Sequence, residues 1–422
     1  MENQSQSKEL TIEKMLEKEH LLAAYQAVKA NAGAPGIDGM TVERLGPHLR
    51  EHWPRIAAKL REGRYRPLAV RAVDIPKPHG GVRTLGIPTV LDRFIQQAIL
   101  QLLTPAFDPE FSAHSHGFRP LRSAHDAVRE AKSYVEAGCC WVADIDLKAF
   151  FDQVNHDILM REVARKVGDK RLLKLIGSFL RAGTARAGEP ATARTKGTPQ
   201  GGPLSPLLAN IYLDRLDKEM EARGLAFVRY ADDIAIYARS QRAAERILET
   251  VTKWLERNLK VEVNREKSGA GLTEESSLLG FRVHQDGRIS VAPKAREKLK
   301  TRVRELWNAR QSLTTVQLRD RWREYIDGWW GYFRLAQSNE LRSIGKWTRR
   351  HMRKCFWQRW HSQKGRWNAL WRLGLRGKSL QVAASGVGAW RMAASVQLQC
   401  TLTKGTLNAY GFVIPWELAP SK

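Results

Sequence analysis

Cysteine is scarce in this sequence. The four residues, Cys139, Cys140, Cys355 and Cys400, form no Cys-x-x-Cys pair and no Cys/His zinc spacing. Adjacent Cys139 and Cys140 are poorly placed to bond each other. A disulfide framework and a zinc module are therefore excluded, and the thiols read as reduced core residues of a cytoplasmic chain. Long apolar runs are missing too. No stretch approaches the roughly 20 apolar residues of a membrane span. The N-terminus, MENQSQSKELTIEKMLEKEH, is polar and lacks the apolar core of a secretory signal. There is no internal repeat and no low-complexity tract.

Negative charge is short relative to positive. Lys plus Arg is 70 against 44 Asp plus Glu, a formal +26 at pH 7. Such a surplus repels itself unless an anion lies against it. Nucleic acid is the first candidate and an anionic membrane surface the second. Hydrophobic residues make up 43% of 422 residues, enough for packed cores, which excludes global disorder. The length implies two or three domains at roughly 150 residues each. The charge is uneven: residues 291–422 hold 26 Lys/Arg, 7 Asp/Glu and 11 of the 14 tryptophans. Basic residues interleaved with rings, as in RWREYIDGWWGYFR (321–334), suit a polyanion with stackable bases. The same pattern also describes a helical bundle with Trp in its core, and both readings are expected to hold.

The pattern predicts helices over 8–31, 41–62, 92–103, 123–136, 156–182, 205–224 and 241–258. NAGAPGIDG (31–39) is a loop. Residues 69–88, with their Pro-His-Gly-Gly turn, read as a hairpin. Strands are expected at 140–146, 225–240, 259–268 and 277–293, and mainly helix beyond Pro293.

YADD (230–233) lies between two alternating apolar runs, so it sits at a hairpin tip. Asp favours turns in any case, and alone this proves little. A second acidic strand, VADIDLKAFFD (142–152), places Asp144 and Asp146 on one strand face. If the two strands are neighbours, Asp146 and Asp232 can bridge two Mg²⁺ ions roughly 4 Å apart, the arrangement of in-line phosphoryl transfer. Oxygen ligands select Mg²⁺, with Mn²⁺ as a substitute.

With TPQGGPLSP (198–206) between these two acidic segments, the chain resembles the group II intron reverse transcriptases, or maturases. IPKPHGGVRTLGIPTVLDRFIQQA (75–98), HGFRPLRSAHDA (116–127), FFDQVNHD (150–157) and LLGF (278–281) extend the match in the family's order. GAPGIDG (33–39) resembles the family's extra N-terminal motif. The resemblance implies an α+β right-hand polymerase: an N-terminal extension (1–65), fingers (66–140), an antiparallel-sheet palm with inserted fingers helices (141–290), a helical thumb or maturase domain (291–370) and a small DNA-binding unit (371–422). It implies an RNA-directed DNA polymerase with two Mg²⁺ ions, and intron RNA, a DNA primer or target and dNTPs as partners. It also implies splicing help, retrohoming and a bacterial cytoplasmic setting. The terminal GFVIPWELAPSK carries no cysteine-paired endonuclease module, which points to the endonuclease-lacking, group IIC-like subgroup.

By the same resemblance Asp146, Asp232 and Asp233 are the catalytic carboxylates, and Leu147 offers its carbonyl to a metal. Asp146 is preferred to Asp144 because Phe151 then falls at the aromatic gate that selects dNTPs. Asp152 is a structural acceptor or helix cap. Lys77 and Arg83 clamp the incoming phosphates. Gln200 and Gly201 contact the nucleotide. Lys267 is either a general acid for pyrophosphate or a solvated charge. Arg119 and Arg122 touch the template or satisfy nearby carbonyls. Arg349, Arg350, Arg353 and Lys354 contact RNA or DNA. His114, His116, His125 and His156 lack ligand spacing and are expected to hydrogen bond. Two other readings stay open: a splicing factor on an inactive polymerase fold, and a host-domesticated relative.

Overall fold

The computed structural model describes residues 10–76, 82–186 and 190–418. The chain divides into two compact units, Met1–Leu272 and Thr273–Lys422. Strands in chain order are β1 (Val70–Pro76), β2 (Val82–Ile87), β3 (Trp141–Ile145), β4 (Thr184–Ala185), β5 (Ala226–Tyr230), β6 (Asp233–Ala238), β7 (Gly269–Leu272), β8 (Phe281–Val283) and β9 (Ile289–Val291). Segregated antiparallel strands and helices make it α+β, as expected. No helix among the described residues is long and apolar enough to cross a membrane.

In the first unit a four-stranded sheet runs β5-β6-β3-β7. The alternating runs flanking YADD form the β5–β6 hairpin, with Tyr230 opposite Asp233. The two residues between them make the turn, and Ala231 takes the left-handed φ of +58° that a tight hairpin requires. β3 lies antiparallel to β6, with Ile145 opposite Ile234 and Asp144 opposite Ala235. β7 covers the other edge of β3, with Asp144 opposite Gly269. Helix Gln241–Asn258 starts at a Ser240 cap and buries Ala244, Val251, Thr252 and Leu255, one stripe at helical spacing.

The expected 69–88 hairpin is present as β1–β2, extended by β4 parallel to β1. Its tip, with Lys77, lies outside the described residues. Two long expected helices are each broken. The first is interrupted between Ile12–Met15 and Lys18–Asn31, and the second between His156–Ala164 and Lys170–Arg181, where Asp169 caps the new start. The expected strand over 259–268 reduces to one bridge, Leu147 to Val263. Asn264 then turns the chain: its carbonyl accepts from the Lys267 and Ser268 amides at 3.1 and 2.8 Å.

The second unit begins before the boundary expected at 290. Hairpin β8–β9 pairs Phe281 with Val291 and joins no other sheet. The Phe281 ring packs on Tyr332 and Phe333 instead. The segment 371–422 falls within this second unit. Leu370, Leu380, Ala383, Met392 and Leu398 surround Trp357 in a small core. Leu402, Leu407, Phe412, Ile414 and Trp416 return to the main core around Trp307 and Trp322. Trp307 and Trp322 meet edge to face at 5.5 Å, and Trp322 Nε1 donates to the Val413 carbonyl at 2.8 Å. Trp322→Ala is expected to lower unfolding free energy by about 3–5 kcal/mol. Trp322→Phe, which keeps bulk but loses the donor, should cost about 1–3 kcal/mol. Urea titration of both variants checks this order.

Candidate active site

The β3–β6 register decides which carboxylates meet. Asp144 lies in β3, and Asp146 directly follows its last residue, Ile145, whose partner Ile234 comes just after the turn that carries Asp232 and Asp233. The Asp146 backbone is fixed from both sides. Its amide donates to Ser268 Oγ at 2.9 Å, and its carbonyl accepts from the Asn264 amide at 2.8 Å. Asp233 keeps access to solvent at the strand tip, while surrounding protein crowds out much of its hydration. That dehydration, then the charges of Asp232, Asp146 and Asp144, push its carboxyl up to about 6. Solvent access makes the mutual repulsion the firmer of the two causes.

No three His, Cys, Asp or Glu side chains among the described residues form a ready-made metal cage. Mg²⁺ does not need one, because it keeps several waters and takes one or two carboxylates with substrate phosphates. A repelling, all-oxygen donor set therefore fits a hard divalent cation.

The first unit also holds a pocket of about 520 Å³, lined by Phe151, Gln200, Gly201, Leu85, Arg93 and Phe118 among others. Its walls are stitched by backbone bonds. The Thr198 amide donates to the Phe151 carbonyl at 2.7 Å, and the Gly86 amide to the Gln200 carbonyl at 2.9 Å. Gly201 has φ +134°, and a Cβ there would lie 2.8 Å from the Gly86 carbonyl oxygen. Only glycine lets the loop approach β2 so closely. Phe151 is half-buried against Phe150, centroids 5.3 Å apart. Three sequence-predicted residues, Phe151, Gln200 and Gly201, thus share one pocket. Arg83 stands opposite Ile75, one pair from the turn end of the fingers hairpin. Lys267 is exposed, one residue from the Ser268 that holds Asp146. Arg93 was not anticipated. It is buried in the pocket wall, donates Nη2 to the Gly33 carbonyl at 3.2 Å, and its Nε has no partner among the described residues. An arginine in an apolar helix pattern carries no sequence signal for this.

Residues 75–283 match the model of the family described as reverse transcriptase (RNA-dependent DNA polymerase). Residues 296–374 match the group II intron maturase-specific domain. Protein YkfC of Escherichia coli K12 is 33% identical over 290 residues, covering 59% of this chain and 76% of that protein. The chain belongs to the group II intron reverse transcriptase/maturase family. Group II intron-encoded protein LtrA of Lactococcus lactis subsp. cremoris is 39% identical over 196 residues, 46% of this chain and 32% of LtrA. A putative COX1/OXI3 intron 1 protein of Saccharomyces cerevisiae is 32% identical over 48% of this chain and 24% of that protein. The chain thus spans less than a third of these two relatives. The family's fold is the right-hand polymerase, and its catalytic module is an RNA-directed DNA polymerase.

Within this reverse transcriptase several residues expected to contact nucleic acid also have internal partners. Arg119 is buried. It pairs with Asp108 at 2.8 Å and donates to the carbonyls of Asp108, Ser112 and Ser115. Of the two roles open to it, carbonyl satisfaction is the one observed. Arg122 is exposed and donates to the Ala113 carbonyl at 3.1 Å. Arg349 is held by Glu417. Arg353 is buried and donates to the Ala393 carbonyl at 2.9 Å. Arg350 lies over the Trp390 ring at 4.0 Å and bonds its carbonyl. Lys354 is half-buried. Arginines fixed this way hold the fold.

His114, His116 and His156 do hydrogen bond. His156 Nε2 meets the Gly197 carbonyl at 2.7 Å. His114 and His116 both reach Glu130, and so does Tyr134 at 2.8 Å. Burial pushes the Glu130 carboxyl up, but the hydrogen bonds from His114, His116 and Tyr134 prevail and hold it at about 2. The hydrogen bond to Glu130 raises His114 against its burial. A depressed carboxyl stabilises above its ordinary 4.5, and the contribution fades as pH falls toward 2. A raised imidazole stabilises fully below 6.5, and the contribution fades as pH rises through its folded value. Glu130→Gln should therefore cost most near pH 5–6, about 1–3 kcal/mol, and less at pH 9. Urea midpoints across that range test the sign.

Proposed function

We propose that the chain is the RNA-directed DNA polymerase of a mobile group II intron, extending a DNA primer or target on intron RNA with dNTPs. It binds the same RNA to assist splicing and retrohoming, and works in the bacterial cytoplasm. The observation that carries the reading is the register that sets Asp146 beside the Asp232–Asp233 turn. The match to the maturase-specific domain supports the splicing role.

Asp146, Asp232 and Asp233, with the Leu147 carbonyl, would hold two Mg²⁺ ions, or Mn²⁺ in their place. Bound there, the ions would lower the pKa of the primer 3′-hydroxyl and neutralise the departing pyrophosphate. The Phe151 ring excludes a ribose 2′-hydroxyl by bulk. Gln200 contacts the sugar or phosphate, and Gly201 lets the backbone approach the base pair. Lys77 and Arg83, at positions that match the family's phosphate clamp, hold the triphosphate. Lys267 protonates the leaving pyrophosphate. In the second unit a groove of about 490 Å³, lined by Arg296, Lys300, Arg304 and Trp347, suits a phosphate backbone.

Asp232→Asn should lower Mg²⁺-dependent primer extension on RNA by about 10²–10³-fold with the fold intact, since several kcal/mol of charge stabilisation are lost. Retention of the wild-type rate would overturn the reading. Phe151→Ala should relax discrimination against ribonucleotides by about 10–200-fold, the range of a steric pocket. Competition between dGTP and GTP measures it. RNA affinity should fall steeply between 50 and 200 mM salt, by about 10³-fold if six phosphates are neutralised.

A further inference from the structure

We propose that Arg229 is a positioning residue for the catalytic turn, braced by Asp217 and Asn210 and closed off by Gly117. The proposal rests on the polymerase reading above.

Arg229 ends the apolar run of β5, one residue before Tyr230. It is completely buried, and so is its ion-pair partner Asp217. Nε and Nη2 donate to the Asp217 carboxylate at 2.7 and 2.5 Å. Nη1 is shared between Asn210 Oδ1 and the carbonyl of Ala231, each at 3.0 Å. Ala231 is the turn residue with left-handed φ. Its carbonyl faces the interior, where a missing donor is costly. The guanidinium supplies that donor next to Asp232.

The brace is closed by the segment that contains HGFR. The Arg229 amide donates to the His114 carbonyl, and the Arg229 carbonyl accepts from the His116 amide, both at 2.9 Å. Asn210 Nδ2 donates to the Gly117 carbonyl at 2.8 Å. A Cβ on Gly117 would stand 2.2 Å from the Ala231 nitrogen, so the backbone of 117 lies directly against the turn. One side chain, Asn210 on helix Ser205–Ala222, therefore links both partners of the turn.

A buried ion pair is seldom the cheapest way to fill a core, because stripping water from two charges costs several kcal/mol. Here its geometry does what an apolar residue cannot. Two donors are fixed by Asp217, and the third is aimed at a backbone carbonyl. Lysine is a point charge without that fork and cannot satisfy Asp217, Asn210 and Ala231 in the same directions. Gly117 and Arg229 thus have a shared role: they fix where the carboxylates of the turn stand relative to β3.

The test uses the full chain and four variants. Arg229→Lys keeps the charge and removes the fork. Asn210→Ala leaves the Arg229–Asp217 pair in place, so it reports on the turn if Arg229→Lys does not fold. Leu172→Ala, a buried residue on a remote helix, controls for loss of stability. Asp232→Asn tests the polymerase reading itself. Single-turnover dNTP incorporation, apparent dNTP affinity and Mn²⁺ binding by EPR in the absence of nucleic acid are measured alongside urea midpoints. Both brace variants should lower the maximal rate at least about tenfold through misplaced carboxylates, with dNTP affinity within about threefold. Both should weaken Mn²⁺ binding several-fold, while Leu172→Ala changes neither. Wild-type rate and Mn²⁺ affinity in a folded brace variant would overturn the proposal, as would a matching loss in Leu172→Ala. An active Asp232→Asn would overturn the polymerase reading instead.

Discussion

Carboxylates repel, and the pairing of β3 with β6 forces Asp144 and Asp146 up against Asp232 and Asp233. That repulsion would push a loose turn away. The surrounding structure answers it with backbone restraint: Ser268 and Asn264 grip Asp146, and the 114–117 segment grips β5. Each restraint comes from a different stretch of chain. The charge cluster thus depends on the sheet register, and the register on an apolar core that includes Phe227, Ile234 and Ile236. A one-residue slip would send these apolar side chains to the other face and scatter the acids.

The pocket that holds Phe151, Gln200 and Gly201 follows a different rule. Its shape comes from the absence of a side chain at Gly201 and from the bulk of Phe151. Backbone bonds tie the loop to both the fingers hairpin and the Phe151 segment. A change on any of the three elements therefore moves the other two. Acids and pocket are linked along the chain: Asp146 follows β3, and the helix Phe150–Gln153, which carries the pocket residue Phe151, begins four residues later.

The acids and three pocket residues, Phe151, Gln200 and Gly201, were legible in the sequence because their spacing is local: two short motifs and a glycine step. The alternating runs around YADD announced their hairpin, and the amphipathic stripe from Ala244 to Leu255 announced its helix. Long-range pairings left no such mark. Nothing in the sequence tells Arg119, bound to Asp108, from Arg122, exposed three residues later. Arg229 reads as one polar residue in a strand, and its fit to Asp217 and Asn210 exists only after β5 meets helix Ser205–Ala222. The strand expected at 259–268 failed for a local reason, since Asn264 makes a turn that outweighs the β-branched residues before it.

The interleaved Trp and Arg residues of the second unit serve the fold as much as any ligand. Arg350, Arg366 and Arg376 lie over Trp390, Trp357 and Trp371 at 4.0, 3.5 and 4.6 Å. These stacks leave the guanidinium charge intact, because a ring face attracts a cation without neutralising it. Carbonyl acceptors, as for Arg353, leave it intact too. Only acids cancel charge, and residues 291–422 hold 7 against 26 Lys/Arg. Internal structure therefore accounts for where individual arginines point but not for the excess. The case for a polyanionic partner rests on that excess as a whole rather than on any one residue within it.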